Sequence, residues 1–453
     1  MKTPPFFSSI RAAGILTVAL TVMAAALSAQ TPAPAKPAPP QPQGDPFIKK
    51  EVGSTATEET ESVCNVGATL EIYALSQADA AKLIGENSGG PVLHDRVLEL
   101  VKKGNARLET VLSNVAKSGK KAFLEQTDEL HYPTYLRDGD DANKLPIPTD
   151  YESRNTGDSF EWEPSLAPDN RTCDLSFVIS EVHFSGFADL HVTKKKMAFG
   201  PPRFETRKIT TRQTVRVGAM QFLGTLSAAP DFKTADAPDA EADKSHSLQV
   251  RLLFGRVDVV RIPRKPLPQE DQEGNLEEQL SFYSLDRETA RTVLGEIASP
   301  GAVFAALQPH LDRHEAKLER LLVLKTQSGQ RGMTEETDEI RYDAGEAEGI
   351  ATRNTGLILE IEPVRAANAS IVDIDMVPQM VKLNGDLHFD GIAEKYQSQP
   401  VFETRKVTTS LSAALGEQAF IGTFSQPTDT GVNGQKDTGR VWLGFIRVNL
   451  VKP

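Results

Sequence analysis

An internal duplication constrains this chain more than any other feature of its sequence. Phe204–Leu226 reads FETRKITTRQTVRVGAMQFLGTL, and Phe402–Phe424 reads FETRKVTTSLSAALGEQAFIGTF. In each copy a run of alternating β-branched and polar residues is followed by a Gly-containing turn and a second short apolar run. Two such runs around a turn predict a β-hairpin. The alternation predicts that one face of the sheet is packed and the other is in water.

The duplication extends far beyond these two segments. At a constant offset of 210 positions, Leu70–Gly85 matches Leu280–Gly295, and Thr127–Leu130 matches Thr337–Ile340. Each copy is predicted to begin with a strand and to continue into a helix, for which Ser76 or Asp286 is a suitable N-cap. A match at a fixed offset over this length indicates two copies of one folding unit.

The copies differ by an insertion and then rejoin. Asp138–Pro148 is a loop by composition and occurs only in the first copy. The match resumes at Arg154–Gly157 and Arg353–Gly356, and the copies close on apolar strands at Val250–Val260 and Val441–Val451. We therefore expect an α+β fold of two tandem repeats, each a short helical region plus an antiparallel sheet of hairpins.

The N-terminal part of the chain has a different composition. Lys2 and Arg11 precede the apolar run Ala12–Ala26, and the small residue Ala29 follows, which is typical of a secretory signal peptide cleaved after Ala29. The alternative is a membrane anchor, but the run is shorter than the roughly 20 residues needed to span a bilayer. The predicted organisation is a signal peptide at 1–29, a Pro/Ala-rich tether at 30–61, repeats at 62–262 and 276–453, and a linker at 263–275.

The charge balance limits the classes of partner. Without Lys2 and Arg11 the chain has 48 basic residues against 62 acidic ones. This excess of acid argues against nucleic acid and against adhesion to an anionic membrane surface. The densest basic cluster, Lys194–Lys196, is interpreted as a solvated strand edge or turn.

Four motifs occur in the same order in both copies and together resemble the core domain of the bacterial secretins, the outer-membrane ring channels of secretion systems and type IV pili. In the second copy they are Ser328–Arg331, Arg353–Pro363, Ile371–Pro378 and Thr404–Gly422. The resemblance covers roughly Ser118–Pro230 and Ser328–Gln426. It departs from the family pattern at Gly224-Thr-Leu and Gly422-Thr-Phe, where Gly-Gly-Leu is usual. It implies the secretin core fold, envelope or secretion-system partners, and association through sheet edges.

Candidate chemistry is sparse. His310 and His314 have the i, i+4 spacing of a zinc-binding helix, but we interpret them as solvated polar residues because no third ligand is evident. Asp128 and Glu129, like Asp338 and Glu339, are neighbours on a strand and point to opposite faces, so they do not converge as an acid and base. We expect them to have structural or ion-pairing roles, with Arg207 and Arg405 as candidate partners. No catalytic, cofactor-binding or metal-binding residue is predicted.

Other repeated residues are interpreted as structural. In Arg154–Gly157 and its twin, the Gly supplies positive φ and the Asn a turn. Phe204 and Phe402 are predicted core residues. Cys64 and Cys173 form one disulfide or remain free, and the sequence leaves both alternatives open.

Three functions are compatible with these features. The first is an exported, non-enzymatic, secretin-like structural or accessory protein of the cell envelope, in the periplasm or at the outer membrane, with envelope or secretion-system partners and a homo-oligomer formed through sheet edges. The second is a subunit of a multimeric outer-membrane secretin channel. The third is a periplasmic hydrolase, which the absence of a convergent acid, base or metal cluster disfavours.

Overall fold

The computed structural model describes ten stretches of the chain, which form a single unit. They are residues 62–86, 89–138, 145–188, 200–227, 249–267, 274–345, 348–367, 369–426, 432 and 438–452. The predicted signal peptide, the tether, Lys194–Lys196, and much of the insertion loop and of the linker lie outside the described residues.

The described residues form sixteen strands and four α-helices. The strands are β1 (Ser62–Ser76), β2 (Ala106–Lys117), β3 (Ala122–Arg137), β4 (Ile147–Leu166), β5 (Thr172–Phe187), β6 (Pro202–Arg216), β7 (Gln221–Ser227), β8 (Gln249–Pro263), β9 (Asn275–Asp286), β10 (Lys317–Thr326), β11 (Gly332–Asp343), β12 (Ile350–Arg365), β13 (Ile371–His388), β14 (Ser398–Ala414), β15 (Gln418–Thr423) and β16 (Arg440–Val451). The helices are α1 (Gln77–Glu86), α2 (Gly90–Lys102), α3 (Arg287–Val293) and α4 (Ala302–Asp312).

The strands form two eight-stranded antiparallel sheets. The first sheet has the order β10-β9-β16-β15-β2-β1-β8-β7, and the second has the order β11-β12-β13-β14-β3-β4-β5-β6. We call β1 to β8 the first half and β9 to β16 the second half. Within each sheet the two halves contribute four strands apiece in corresponding order, so the second half stands beside the first as if translated along the sheet.

The core lies between the two sheets and is continuous through both halves. Its largest fully buried side chains include Trp162 and Phe254 from the first half and Phe282 and Phe445 from the second. The helices pack against strands of the first sheet, whose strand β1 is buried almost without interruption. In the second sheet, by contrast, β5 and β12 alternate between buried and half-exposed positions, as expected for a sheet with one face in water.

Helices form only a small part of the described residues, so the prediction of an α+β fold overstated them and the fold is mainly β. The predicted helix starts are confirmed. Asp286 accepts a hydrogen bond from the backbone N–H of Thr289 at 2.9 Å, and Ser76 Oγ accepts one from Asp79 N–H at 3.0 Å. Both bonds satisfy donors that a helix leaves free in its first turn.

The hairpin prediction for Phe204–Leu226 and Phe402–Phe424 was wrong. The two runs of each segment are separate strands in different sheets: β6 and β14 lie in the second sheet, and β7 and β15 in the first. The turn between them, which contains Gly218 or Gly416 at positive φ, carries the chain across the core from one sheet to the other. Alternation identifies a strand and its buried face, but it does not identify the strand with which it pairs.

The repeated Ser-Gly and Glu-Pro motifs tie the start of one strand to the end of another. Ser118 Oγ accepts a hydrogen bond from Leu166 N–H at 2.9 Å, and Gly119 N–H donates to the carbonyl of Pro164 at 2.6 Å. The same two bonds recur in the second half, from Arg365 to Ser328 and from Gly329 to Pro363. The motifs therefore hold the turn between β2 and β3 against the end of β4, and the turn between β10 and β11 against the end of β12.

The predicted positive φ of the Arg-Asn-Thr-Gly glycines is confirmed, at 108° for Gly157 and 132° for Gly356. The turn predicted at the Asn was wrong, because Asn155 and Asn354 lie within β4 and β12. A Cβ atom on Gly356 would lie 2.0 Å from the carbonyl oxygen of Glu336 on the neighbouring strand. This position therefore excludes a side chain on both steric and conformational grounds.

We expect Gly356→Ala to lower the free energy of unfolding by at least about 2 kcal/mol, because strain at φ and a backbone clash act together. Urea unfolding measures the change. The control is Gly295→Ala, where φ is not positive and no atom lies within 4 Å of the new Cβ. Equal stability of the two variants would contradict the assignment of strain to Gly356.

Candidate functional site: the junction between the halves and the open sheet edges

The two halves join strand to strand in both sheets. In the second sheet, β14 pairs with β3 over seven residue pairs, from Phe402 opposite Glu129 to Thr408 opposite Phe123. In the first sheet, β15 meets β2 at Gly422 and Asn114. Backbone groups that would otherwise need solvent are thus satisfied by the other half of the chain.

Asn65 on β1 fixes the register of this junction with two hydrogen bonds. Its amide nitrogen donates to the carbonyl of Ser412 at 2.8 Å, and its amide oxygen accepts from Ser412 N–H at 2.9 Å. Asn65 is 2% exposed, so both bonds are shielded from water. The Asn65 amide thus satisfies one backbone donor and one backbone acceptor of β14, and it links β1 of the first sheet to β14 of the second.

Two threonines make similar bonds between the halves. Thr423 Oγ1 on β15 accepts from the backbone N–H of Ser113 on β2 at 3.1 Å, and Thr409 Oγ1 on β14 donates to the carbonyl of Val115. Both threonines are buried. We did not predict Asn65, Thr409 or Thr423 as functional residues. The duplication contains a signal for them, since the same residue types recur at the matched positions of the other copy.

Ion pairs and an apolar cluster strengthen the junction. Arg353 pairs with Glu129 at 3.0 Å, and Lys117 pairs with Asp373 at 2.6 Å. A second hydrophobic cluster draws on both halves, with Leu130, Tyr132 and Phe184 from the first and Leu387, Phe389, Ile392, Tyr396 and Val401 from the second. The junction is therefore a packed interface.

The structure separates the acidic residues from the predicted arginines. Glu129 has an ion-pairing role, but with Arg353, and Asp128 accepts a hydrogen bond from Asn384 at 3.1 Å. Arg207 pairs with Glu181 and Glu205, and Arg405 pairs with Glu403, so the suggested pairing of Arg207 or Arg405 with these acids was wrong. The sequence could not reveal this, because strand pairing places Arg405 opposite Gln126.

The first half contains a buried charge network between its sheets. Arg251 on β8 donates to Glu109 at 2.5 Å and to Glu181 at 2.6 Å, and Arg207 also contacts Glu181. Burial alone would lower the pKa of the Arg251 guanidinium, but the carboxylates of Glu181 and Glu109 outweigh burial and raise it. The network links the two sheets and leaves these carboxylates paired.

At the matched place the second half has an open cleft. Trp442 replaces Arg251, and the Arg405 guanidinium lies 4.5 Å from the centre of its ring. The cleft has a volume of about 700 Å³ and opens between the two sheets near β10 and β11. Its carboxylates are spread along both walls, and among the described residues no three His, Cys, Asp or Glu side chains are placed to hold a metal ion.

The outermost strands β6, β7, β10 and β11 form the open edges of the two sheets. Leu321 and Val323 on β10 are 57% and 50% exposed, whereas Val111 and Ser113, at the matched positions of β2 inside the junction, are 1% and 0% exposed. Met333 on β11 is likewise exposed. Open edges with apolar side chains are unusual in stable proteins, because they present unpaired backbone groups to other strands.

His310 and His314, which have the spacing of zinc ligands but were interpreted as solvated polar residues, do not share a helix face. His310 lies in α4 and contacts Glu315 at 2.7 Å, whereas His314 follows the end of that helix with φ of 60°. Hydrogen bonds from Arg313 and from His310 hold the pKa of the Glu315 carboxyl at about 2. These side chains form a polar cap at the helix C-terminus.

The two cysteines are free thiols in different sheets, so the disulfide alternative is not the one found. Cys64 lies on β1 and is half-buried, while Cys173 lies on β5 and is fully buried. Burial raises the pKa of the Cys173 thiol to about 11. Such a thiol behaves as a small apolar core side chain.

Comparison with known proteins gives similarity to solved structures only. No family model and no curated protein matches the chain. Within the described residues, no helix combines the length and the apolar character of a membrane span.

Solved structures that match include secretins, the family that the sequence motifs resemble. They include the type II secretin GspD of enteropathogenic Escherichia coli, with 11% identity and a TM-score of 0.24 over 46% of this chain and 78% of that one. The V. cholerae competence pilus secretin PilQ has 9% identity and a TM-score of 0.22 over 86% and 61%. The Salmonella SPI-1 injectisome secretin InvG has 13% identity and a TM-score of 0.21 over 46% and 66%. Because these TM-scores lie well below 0.5, function is inferred from strand order and sheet edges instead.

We expect Asn65→Ala to lower the free energy of unfolding by roughly 1–3 kcal/mol, because it leaves the Ser412 N–H and carbonyl without their buried partner. Urea unfolding at low protein concentration measures this. The matched control is Asn275→Ala, at the same position in the second half, where no described strand of this chain continues the sheets beyond β10 and β11. A neutral Asn65→Ala variant would show that the side-chain bonds do not hold the junction.

Glu278 on β9 is buried without a charge partner. One carboxylate oxygen accepts from Thr326 Oγ1 at 2.7 Å, and the other has no hydrogen-bond partner among the described residues. Burial raises the pKa of the carboxyl to about 7. The folded state therefore favours the protonated acid, so the stabilisation is present below the ordinary pKa of about 4.5 and is lost as the pH rises through about 7.

We expect Glu278→Gln to be more stable than the native protein at pH 8 by roughly 1–2 kcal/mol, and the two to converge near pH 5, since glutamine resembles the protonated acid. Thermal melts at both pH values measure the difference. Glu335→Gln, which removes an exposed carboxylate, is the control. A difference between Glu278→Gln and the native protein that is the same at pH 5 and pH 8 would contradict the raised pKa.

Proposed function

We propose that this chain is an exported, non-enzymatic, secretin-like protein that serves as a structural or accessory part of the cell envelope or of its secretion machinery. The observation that carries the proposal is the strand order. The two halves associate edge to edge, and each sheet keeps an open edge at both ends. A surface of this kind suits strand addition to a partner, which is a common mode of assembly in β proteins.

The arrangement of charged groups also supports a structural role. The acidic pair Asp128 and Glu129 diverges, and Glu109 and Glu181 are held by Arg251. Carboxylates committed to buried ion pairs are poorly placed to move protons on a substrate. The proposed repeats, 62–262 and 276–453, each span eight strands apart from one residue, Pro263 at the end of β8 and Asn275 at the start of β9.

Export is tested by cell fractionation and N-terminal sequencing. We expect the mature protein to begin at Gln30 and to be found in the periplasmic or outer-membrane fraction, because Ala29 has the small side chain that signal peptidase requires. Ala29→Phe should retain the precursor. An uncleaved native chain in the cytosol would contradict the proposal.

Unheated gel electrophoresis of the same fractions separates the proposed role from its nearest alternative. A very large, heat-sensitive species in the outer-membrane fraction would favour the subunit of a secretin channel. A soluble periplasmic monomer or small assembly would favour the accessory role.

A further inference from the structure

We propose that the open cleft of the second half binds a basic side chain, and that its occupant is an arginine of an extended peptide from a partner protein. The cleft lies between the two sheets near β10 and β11 and has a volume of about 700 Å³. The choice of a peptide rests on the proposed function, in which the open sheet edges take a partner strand. The choice of arginine rests on the charges inside the cleft.

The first half of the molecule shows what fills the matched place. There Arg251 is only 9% exposed and donates to Glu109 at 2.5 Å and to Glu181 at 2.6 Å. A guanidinium supplies several N–H donors in one plane and keeps its charge when buried beside carboxylates. The first half therefore carries its own arginine in the space between the sheets.

The second half lacks this arginine but keeps part of its surroundings. The residues that match Arg251, Glu109 and Glu181 are, in that order, Trp442, Glu319 and Met380. All three of these residues line the cleft, and each is partly exposed. The cleft thus offers aromatic and apolar surface beside a carboxylate. An arginine packs its apolar stem and the face of its guanidinium on surface of this kind.

Two further acids of β11 face the cleft. Glu336 lies opposite Leu357 of β12, and Leu357 lines the cleft. Asp338 lies opposite Thr355, which lines it as well. Residues directly opposite one another on antiparallel strands share a face of the sheet, so both carboxylates point to the space between the sheets. Both acids are exposed, so their charges are available to a ligand.

A buried acceptor beside the cleft also lacks a donor. Glu403 lines the cleft and is 1% exposed. One of its carboxylate oxygens pairs with Arg405, and the other has no hydrogen-bond partner among the described residues. In the first half, Asp128, which matches Asp338, accepts a hydrogen bond from Asn384 at 3.1 Å. Since buried acceptors are costly to leave unpaired, a ligand that brings N–H donors is favoured.

The bases of the cleft are for the most part already engaged as donors. Arg320 and Arg440 donate to backbone carbonyls of β10 and β9, at 2.8 and 2.7 Å. Arg405 is held by Glu403, and Lys382 is exposed. The hydrogen-bonding capacity that the cleft leaves open is therefore mainly that of acceptors. Such a site suits a cationic donor better than an anion.

Titration with blocked tripeptides tests the chemistry of the occupant. The probe is acetyl-Gly-Arg-Gly-amide, and the matched peptides carry glutamate or citrulline, which has nearly the shape of arginine without its charge. Saturation-transfer NMR with the full mature chain measures the affinities. We expect the arginine peptide to bind about tenfold more tightly than either matched peptide. No binding, equal binding of the citrulline peptide or tighter binding of the glutamate peptide would each overturn the proposal.

Tryptophan fluorescence locates the bound peptide. The chain has two tryptophans, of which Trp162 is 1% exposed in the core and Trp442 lines the cleft. The arginine peptide should change the emission of the native protein and should not change that of Trp442→Phe. An equal change in Trp442→Phe would place the peptide outside the cleft and overturn the proposed site.

Paired neutralisations on β11 test the acids. Glu336→Gln with Asp338→Asn should weaken binding of the arginine peptide about tenfold. The matched control is Glu335→Gln with Glu339→Gln, which removes the same charge from the other face of the same strand and should leave the affinity unchanged. All four residues are exposed, so neither pair should alter urea unfolding. Equal losses of affinity in the two pairs would show an effect of net charge alone and would overturn the site.

Rebuilding the arginine and acid of the first half inside the cleft provides an independent test. Met380→Glu with Trp442→Arg places a carboxylate and a guanidinium at the positions that match Glu181 and Arg251. The introduced guanidinium should take the place of the ligand, so the folded double variant should no longer bind the arginine peptide. Undiminished binding by this variant would contradict the proposal.

The outcome is separable from the proposed function. Butylguanidinium, which has the side chain of arginine without a peptide backbone, tests the source of the cation. Tighter binding of butylguanidinium than of the peptide would overturn the assignment to a peptide. A chain that is exported but binds neither probe would leave the envelope role standing without this site. A chain that binds the arginine peptide but stays in the cytosol would support the site and contradict export.

Discussion

Antiparallel pairing of β14 with β3 holds the two halves of the molecule together. It joins two four-stranded sets into an eight-stranded sheet, and the shorter contact of β15 with β2 does the same in the first sheet. Without it, each half would expose two more edges and the apolar residues now buried between β2, β3 and their neighbours. Since the core is continuous through both halves, the halves depend on each other for burial.

Register in such a contact needs more than backbone hydrogen bonds, which are satisfied equally well after a shift of two residues. Here the Asn65 side chain hydrogen-bonds both backbone groups of Ser412 on β14. Thr409 and Thr423 each hydrogen-bond one backbone group across the junction. Charged pairs such as Arg353 and Glu129 further favour this register. Together these bonds specify one alignment among several that the backbone alone would allow.

Some of this organisation was predictable from particular residues. The N-caps at Ser76 and Asp286 predicted helix starts, and the Arg-Asn-Thr-Gly glycines predicted positive φ. The fixed offset between Leu70 and Leu280 is the basis for the prediction of two equivalent units. The hairpin at Phe204–Leu226 was mispredicted, since a turn between two strands is compatible with pairing in one sheet or with crossing between two. Arg207 and Arg405 were assigned to the wrong acids because the sequence does not show which residues strand pairing sets opposite them.

Local sequence was enough to specify the strands, the helix starts and the special backbone positions, because these depend on local sterics and on periodicity within one segment. The three-dimensional arrangement alone established that the halves share both sheets, that Asn65 bonds Ser412 far along the chain, and that Glu278 is buried without a charge partner. These depend on which strands are neighbours. Strand pairing joins residues hundreds of positions apart, and no local pattern encodes that choice.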